Sequence, residues 1–139
     1  MSSFSLHPRL AADTIELARL PLSLLLMMND RRYPWFILVP QRADIQEVYQ
    51  LAATDQQQLW RESAWLGEAA MQAFTGDKLN LAALGNLVPQ LHLHHVVRYR
   101  GDAAWPGPVW GQGEALPYSA AEQDRVKDEL LRRLNPNIS

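Results

Sequence analysis

The hydrophobic and polar positions of the chain divide it into short apolar runs and longer stretches with helical spacing. Ser23–Asn29 and Trp35–Val39 are apolar runs of strand length, and the segment between them is rich in turn-forming residues. This pattern predicts an antiparallel hairpin. Pro40 should end the second strand, because proline has no N–H group to donate to a sheet. From Leu10 to Leu17 the polar and apolar residues follow no single periodicity, so no single element is predicted there. Pro21 ends this stretch.

A long central helix is predicted after the hairpin, preceded by a short helix around Ile45–Gln50. Thr54 and Gln57 have the spacing of a capping box that opens the long helix. The helix should run to about Phe74 and stop at Gly76, as helices do at a C′ glycine. Its inward face is formed by residues at spacings of three and four positions, namely Leu59, Ser63, Leu66, Ala70 and Phe74.

Two further strands are predicted after this helix. Lys78–Ala83 and Gln90–Tyr99 have the residue types of strands, and Leu84–Pro89 connects them as a loop. Strands on both sides of a central helix favour an α+β fold with an antiparallel sheet.

The C-terminal part of the chain has a different composition. Gly101–Pro117 contains three prolines and four glycines, so we expect an ordered loop or a docking arm. Its Trp105 and Trp110 are candidates for stacking on a base or reaching over a dimer partner. Ser119 and Glu122 form a second capping box. The helix that follows should pack on the outside of the domain or on a partner subunit, because its apolar stripe is narrow: Val126, Leu130 and Leu134.

Length and composition narrow the class of protein. The 139 residues suit one domain, with a core at about 20–100 and an arm and terminal helix at 101–139. A net charge of −2 is too close to neutral for a protein that binds nucleic acid or a membrane surface through its overall charge. Without cysteine there is no disulfide, no Cys-ligated zinc and no thiol nucleophile. The apolar runs are too short for a membrane span and the first residues lack the features of a signal peptide, so a cytoplasmic protein is expected.

Three of the four histidines lie within Gln90–Arg98. Alternate side chains on a strand share a face, so Gln90, His92 and His94 should project together. The opposite face is largely apolar and should pack on the central helix. His95 interrupts that face, so we expect it near the sheet edge or at an interface.

The spacing of these residues by itself leaves two interpretations open. One is a half-buried strand whose histidines are tolerated at the surface. The other is a metal site, since His-x-His on a strand can bind zinc or non-haem iron. Such a site needs a third or fourth ligand, and the sequence has no second cluster of histidines or carboxylates that is evident.

The segment from Gly85 to Arg98 resembles the signature of the histidine triad (HIT) family. In that family a glycine-containing loop leads into a strand that reads His-φ-His-φ-His-φ-φ, where φ is apolar. The register that also matches Gly85 and Arg98 places Gln90 first, His92 second and His94 third. The hairpin ending in Ile-Leu-Val-Pro and the helices after it also resemble the family, over about residues 20–100. A triad that begins with Gln, and the C-terminal extension, are similar to those of a bacterial branch.

This resemblance implies a HIT-like α+β fold and a nucleotide hydrolase or transferase. Its substrate would be a dinucleoside polyphosphate or a nucleoside phosphoramidate, cleaved at the α-phosphate. His92 would attack the phosphorus and form a nucleotidyl-histidine, and His94 would donate to a phosphate oxygen. Gln90 could position the phosphate or leaving group but cannot shuttle a proton. No metal or other cofactor is required by the triad.

The resemblance also implies a nucleotide-binding set and a homodimer in which two sheets adjoin. Asn29 would hold the ribose, with Asp30 as the second choice and a plain turn role as the alternative. Asn80 would lie near the phosphates or act as a structural cap, and Asn86 would lie in the phosphate loop. Arg98, by its charge, could attract polyphosphate; the alternative is a solvated surface arginine.

Two rival functions stay open. One is a nucleotide-binding protein with little turnover, because the first triad histidine is replaced by Gln90. The other is a metal-dependent enzyme that uses His92, His94 and a distant carboxylate.

Overall fold

The structure is a computed structural model that describes residues 3–134. It is built on a five-stranded antiparallel sheet. The strands are β1 (Thr14–Arg19), β2 (Ser23–Met28), β3 (Trp35–Pro40), β4 (Lys78–Ala82) and β5 (Leu93–Arg98). Their order across the sheet is β1-β2-β3-β5-β4. The helices are α1 (Pro8–Asp13), α2 (Ala53–Phe74) and α3 (Ala120–Leu134), with a single 3-10 turn at Val48–Gln50. The predicted α+β class and antiparallel sheet are confirmed.

The predicted hairpin forms at β2 and β3, which pair antiparallel with Leu25 opposite Leu38. Both strands are almost completely buried, because the sheet is covered on both faces. One face packs on α2 and α3, and the other packs on α1 and part of the segment after β5. This double burial explains why the two runs are continuously apolar instead of alternating. Pro40 is the last residue of β3, one position later than predicted.

The mixed pattern near the N-terminus contains two short elements. Pro8 occupies the first turn of α1, where its missing N–H group costs nothing, and the side chain of His7 caps Arg9 N–H. The chain then changes directly from helix to strand at Thr14, and β1 pairs with β2 through an irregular register between Glu16 and Ala18. The sequence around this junction combines the periodicity of a helix with that of a strand, so neither element was predicted.

The predicted end of α2 at Phe74 is confirmed, but the residues predicted to cap the helix need correction. The helix begins at Ala53 after the N-cap residue Ala52, and no side chain caps it, so the predicted capping box at Thr54 does not form. At the other end Thr75, not Gly76, adopts the left-handed conformation, with φ of 50°. Gly76 is required for packing: a Cβ there would lie 2.4 Å from Val97 Cγ1 in β5.

Two other predicted elements are shorter in the structure. The short helix at Ile45–Gln50 is only the 3-10 turn. The strand predicted at Gln90–Tyr99 begins at Leu93, because Leu93 is the first residue of β5 that pairs with β3. Before it, Leu91 N–H donates instead to the carbonyl of Ile45. Gln90 and His92 therefore lead into the sheet and do not belong to it.

The C-terminal segment covers the domain in two places. Residues 101–117 form neither helix nor strand, as expected, and Val109 is buried on the sheet face opposite α2. The Ser119–Glu122 capping box is confirmed, with Ser119 Oγ accepting from Glu122 N–H at 3.2 Å. Leu130 and Leu134 bury α3 against α2, which is the packing on the outside of the domain that the narrow stripe predicted. Within residues 3–134, no helix is long and apolar enough to cross a bilayer.

Candidate functional site

The side chains of β5 alternate between the two faces of the sheet. His95 points to α2, whereas His94 points to the opposite face, toward α1 and the segment after β5. His92 precedes the strand, and its ring lies beside that of His94 with a centroid distance of 4.9 Å. The predicted pair of imidazoles is therefore formed.

The ring of His92 is held by the backbone two residues before it. Its Nδ1 lies 2.6 Å from the carbonyl oxygen of Gln90. A carbonyl can only accept, so Nδ1 carries the proton and Nε2 presents a lone pair. Burial lowers the pKa of His92 below the ordinary 6.5, so the ring is neutral at pH 7.

The ring of His94 has the opposite arrangement. The indole Nε1 of Trp35 lies 3.0 Å from His94 Nδ1. Because the indole can only donate, Nδ1 holds the lone pair and the proton is on Nε2. Burial, together with the neighbouring rings of His92 and His95, lowers the pKa of His94 to about 3. The two adjacent rings are thus neutral, with a lone pair at Nε2 of one and a proton at Nε2 of the other.

Both rings line a cleft of about 430 Å³. Its other walls come from α1, the end of β2, the loop before β5 and the segment after it; they include Leu10, Met28, Trp35, Asn86, Leu87 and Trp110. A second cleft of about 480 Å³ shares Met28, Trp35 and Trp110 and continues to Asn29 at the end of β2. Clefts of this size accommodate a small ligand such as a nucleotide.

Gln90 does not join the two histidines in a row. Its Oε1 accepts from His7 N–H at 2.8 Å and its Nε2 donates to the carbonyl of Ser5 at 2.9 Å. The carboxamide therefore holds the N-terminal segment beside His92, outside the cleft that His92 and His94 line. The predicted shared face of three residues is wrong at this position, because the strand begins only at Leu93.

Two of the four candidate nucleotide-binding residues line the clefts. Asn86 lines the histidine cleft, and Asn29 lines the second cleft while its Oδ1 accepts from Tyr118 N–H at 2.9 Å. Asp30, the second choice for the ribose, is buried and pairs with Arg32 at 2.8 Å.

The other two candidates lie away from the clefts and contact each other. Arg98 is only 1% exposed; its Nε and Nη2 bind the carboxylate of Asp102, and its Nη1 donates to Asn80 Oδ1 at 2.8 Å. Although burial alone would raise it, the hydrogen bonds from Arg98 and backbone N–H groups lower the pKa of Asp102 to about 2. This arrangement holds the turn after β5 and leaves no side of the guanidinium open to a phosphate. The expected attraction of polyphosphate by Arg98 does not fit this burial.

His95 is not at an edge or interface of this chain, which corrects the expectation. It is completely buried in an interior strand, where its Nε2 lies 2.7 Å from Ser63 Oγ and its Nδ1 3.1 Å from the Leu93 carbonyl. Burial lowers its pKa to about 4. The signal was present in the sequence, since Ser63 is the polar residue on the inward face of the long helix and requires a buried partner.

Sequence reasoning missed Trp35 and Met28 as site residues, because both belong to apolar runs that read as core. Trp110 was a candidate for contact with a base or a partner. In the structure its ring packs on His94 of the same chain, with centroids 5.2 Å apart, and on Trp35 at 5.7 Å. The aromatic pair of Trp35 and Trp110 thus encloses His94.

The metal interpretation finds no ligand set in the part of the chain that the structure describes. Within residues 3–134, no three histidine, aspartate or glutamate side chains come together in a way that could hold a metal ion.

Comparisons with known proteins decide the family. The family profile of the HIT domain matches residues 10–101, which is more than half of the chain. The chain belongs to the histidine triad (HIT) family. Proteins of this family bind nucleotides, and the predicted membership of the HIT family is confirmed.

Solved structures of bacterial HIT proteins share this fold over nearly the whole chain. A histidine triad protein from Marinobacter aquaeolei VT8 is 53% identical, with 96% of this chain and 97% of that chain covered and a TM-score of 0.94. A histidine triad protein from Bradyrhizobium japonicum is 46% identical, with coverage of 96% and 99% and a TM-score of 0.93. A HIT protein from Sinorhizobium meliloti 1021 is 44% identical, with coverage of 94% and 96% and a TM-score of 0.92. No curated protein matches the chain.

Proposed function

We propose that this HIT protein hydrolyses or transfers nucleotides, attacking the α-phosphate of a dinucleoside polyphosphate or a nucleoside phosphoramidate. The observation that carries the proposal is the state of His92. Its Nδ1 is bound to the Gln90 carbonyl and its ring is neutral at pH 7, so a nucleophilic lone pair is present at Nε2. The ring lines a cleft of about 430 Å³, a size that suits a nucleotide.

The proposed reaction has two steps at one phosphorus atom. The lone pair of His92 Nε2 forms an N–P bond, and the bond from phosphorus to the leaving group breaks with its electron pair on that group. A phosphate oxygen leaves as an anion, and a phosphoramidate nitrogen leaves as an amine after it takes a proton from water. The product is a nucleotidyl-histidine. Water or the hydroxyl of another acceptor then attacks the same phosphorus and releases a proton to solvent, the N–P bond breaks and neutral His92 returns.

His94 would stabilise the charge that develops on the phosphate. Its Nε2–H group is a donor in a site where both rings are almost fully buried, so a hydrogen bond to a non-bridging oxygen is strong. Asn86, in the loop that lines the same cleft, would contribute contacts to the phosphate, and Asn29 in the second cleft would contact the nucleoside.

Gln90 is assigned no proton transfer in this proposal. Both ends of its carboxamide bind the backbone of residues 5 and 7, and an amide does not titrate near pH 7. Leaving groups that need no proton should therefore be preferred. The same observation supports a second candidate function, a nucleotide-binding protein with little turnover.

The test measures AMP release from diadenosine polyphosphates and adenosine phosphoramidate by wild type and His92→Ala, with and without a chelator. AMP formed only by wild type, at a rate that the chelator does not change, is the expected result. Turnover retained by His92→Ala would overturn the assignment of the nucleophile. AMP binding by both proteins without turnover by either would favour the binding protein.

A further inference from the structure

We propose that Trp35 is a positioning residue that fixes the tautomer of His94. The two adjacent histidines, His92 and His94, therefore have different and fixed hydrogen-bonding roles. His92 then presents a lone pair and His94 presents a proton to the same cleft. The catalytic consequence rests on the proposed function, whereas the tautomer itself does not.

The geometry at Trp35 allows only one direction of hydrogen bonding. The indole Nε1 lies 3.0 Å from His94 Nδ1, and the two rings are tilted by 58° with centroids 5.7 Å apart. Trp35 is 5% exposed and His94 4% exposed, so water has little access to replace the indole. Since an indole nitrogen donates and never accepts, His94 Nδ1 must be the acceptor. The proton of a neutral His94 is therefore on Nε2.

The same bond opposes protonation of His94. An imidazolium carries a proton on both nitrogens, so its Nδ1–H would face the Nε1–H of Trp35 and the hydrogen bond would be lost. A cation at His94 would also lie next to the ring of His92, at a centroid distance of 4.9 Å. Trp35 therefore both selects the tautomer of His94 and opposes its protonation.

Trp110 provides a matched control on the same ring. It packs on His94 as closely as Trp35 does, with a centroid distance of 5.2 Å. Its own Nε1 is buried without a hydrogen-bond partner in the part of the chain that the structure describes. Trp110→Phe therefore changes the packing against His94 and removes no hydrogen bond from it, whereas Trp35→Phe keeps an aromatic ring and removes the donor.

The test is ¹⁵N NMR of the histidine rings in wild type, Trp35→Phe and Trp110→Phe, from pH 5 to 8. In wild type and Trp110→Phe we expect His94 to be protonated at Nε2 only and His92 at Nδ1 only, without titration of His94 over this range. In Trp35→Phe we expect His94 to populate both tautomers and to titrate closer to pH 6.5.

A His94 that keeps its tautomer and its resistance to protonation in Trp35→Phe would overturn the proposal. If Trp35→Phe fails to fold, the wild-type spectrum still decides, because a proton on Nδ1 of His94 contradicts it. The NMR readout needs no substrate, so an inactive protein with the expected spectrum would refute the proposed function alone. For an active enzyme, Trp35→Phe should lower kcat by about tenfold or more with little change in KM, and Trp110→Phe should not reproduce the tautomer change.

Discussion

Lowering the pH from 7 to 5 should destabilise the folded protein by about 4 kcal/mol, because His94 and His95 are buried as neutral rings. The folded pKa is about 3 for His94 and about 4 for His95, against an ordinary value of 6.5. The unfolded chain therefore gains a proton at each ring as the pH falls through 6.5, and the folded chain does not. Stability is fully present above pH 6.5 and declines until the folded pKa values are reached.

The magnitude follows from the same values. At pH 5 each unfolded histidine is stabilised by about 2 kcal/mol through protonation, whereas the folded rings of His94 and His95 stay neutral. His92, whose pKa is also lowered, adds to this loss. The buried carboxylates of Asp30 and Asp102 do not contribute to the loss of stability between pH 7 and 5. The pKa of Asp30 and that of Asp102 lie below the ordinary 3.8, so their contribution is lost only at lower pH.

The assay is denaturant unfolding followed by tryptophan fluorescence at pH 7, 6 and 5. His95→Gln is the control, because it removes one titrating ring and keeps a side chain that can bond to Ser63. The loss between pH 7 and 5 should fall from about 4 to about 2 kcal/mol in this variant. A wild-type loss below about 1 kcal/mol, or an unchanged loss in His95→Gln, would refute the reasoning.

Three further changes test the packing around the site. Ser63→Ala leaves His95 Nε2 without its buried partner and should cost about 1–3 kcal/mol of unfolding free energy; no change in the denaturant midpoint would contradict this. Asp102→Asn leaves the guanidinium of Arg98, which is 1% exposed, without its carboxylate partner. The free energy of unfolding should fall by about 3–5 kcal/mol, measured as a lower Tm. A near-wild-type Tm would mean that this ion pair is not what holds the turn. Gly76→Ala places a Cβ 2.4 Å from Val97 Cγ1 and should cost about 1–3 kcal/mol; an unchanged unfolding curve would show that β5 yields without strain.

The fold was predictable as far as local patterns determine it. Continuous apolar runs identified β2 and β3, and helical spacing identified α2. The junction of α1 and β1 was missed because two elements of six residues each share one mixed window. The spacing of His92 and His94 placed both imidazoles at one cleft, since this depends on sequence neighbours.

The remaining features of the site depend on contacts between distant parts of the chain. Gln90 turns away because residues 5 and 7, more than 80 positions earlier, bind its carboxamide. Arg98 is withdrawn from the cleft by Asp102 and Asn80, although an arginine in a basic stretch is usually exposed. Trp35 reads as a core residue until the register of β3 on β5 brings it to His94. No local pattern contains these pairings.

The proposed mechanism requires that His92 becomes covalently bound to the nucleotide. The most direct measurement is mass spectrometry of rapidly quenched reactions with adenosine phosphoramidate or a diadenosine polyphosphate, followed by peptide mapping. The proposal predicts one adenylyl group on the peptide that contains His92 in wild type, and none in His92→Ala. Turnover of the same substrate with no adduct at any quench time, or with the group on His94, would rule out His92 as the nucleophile.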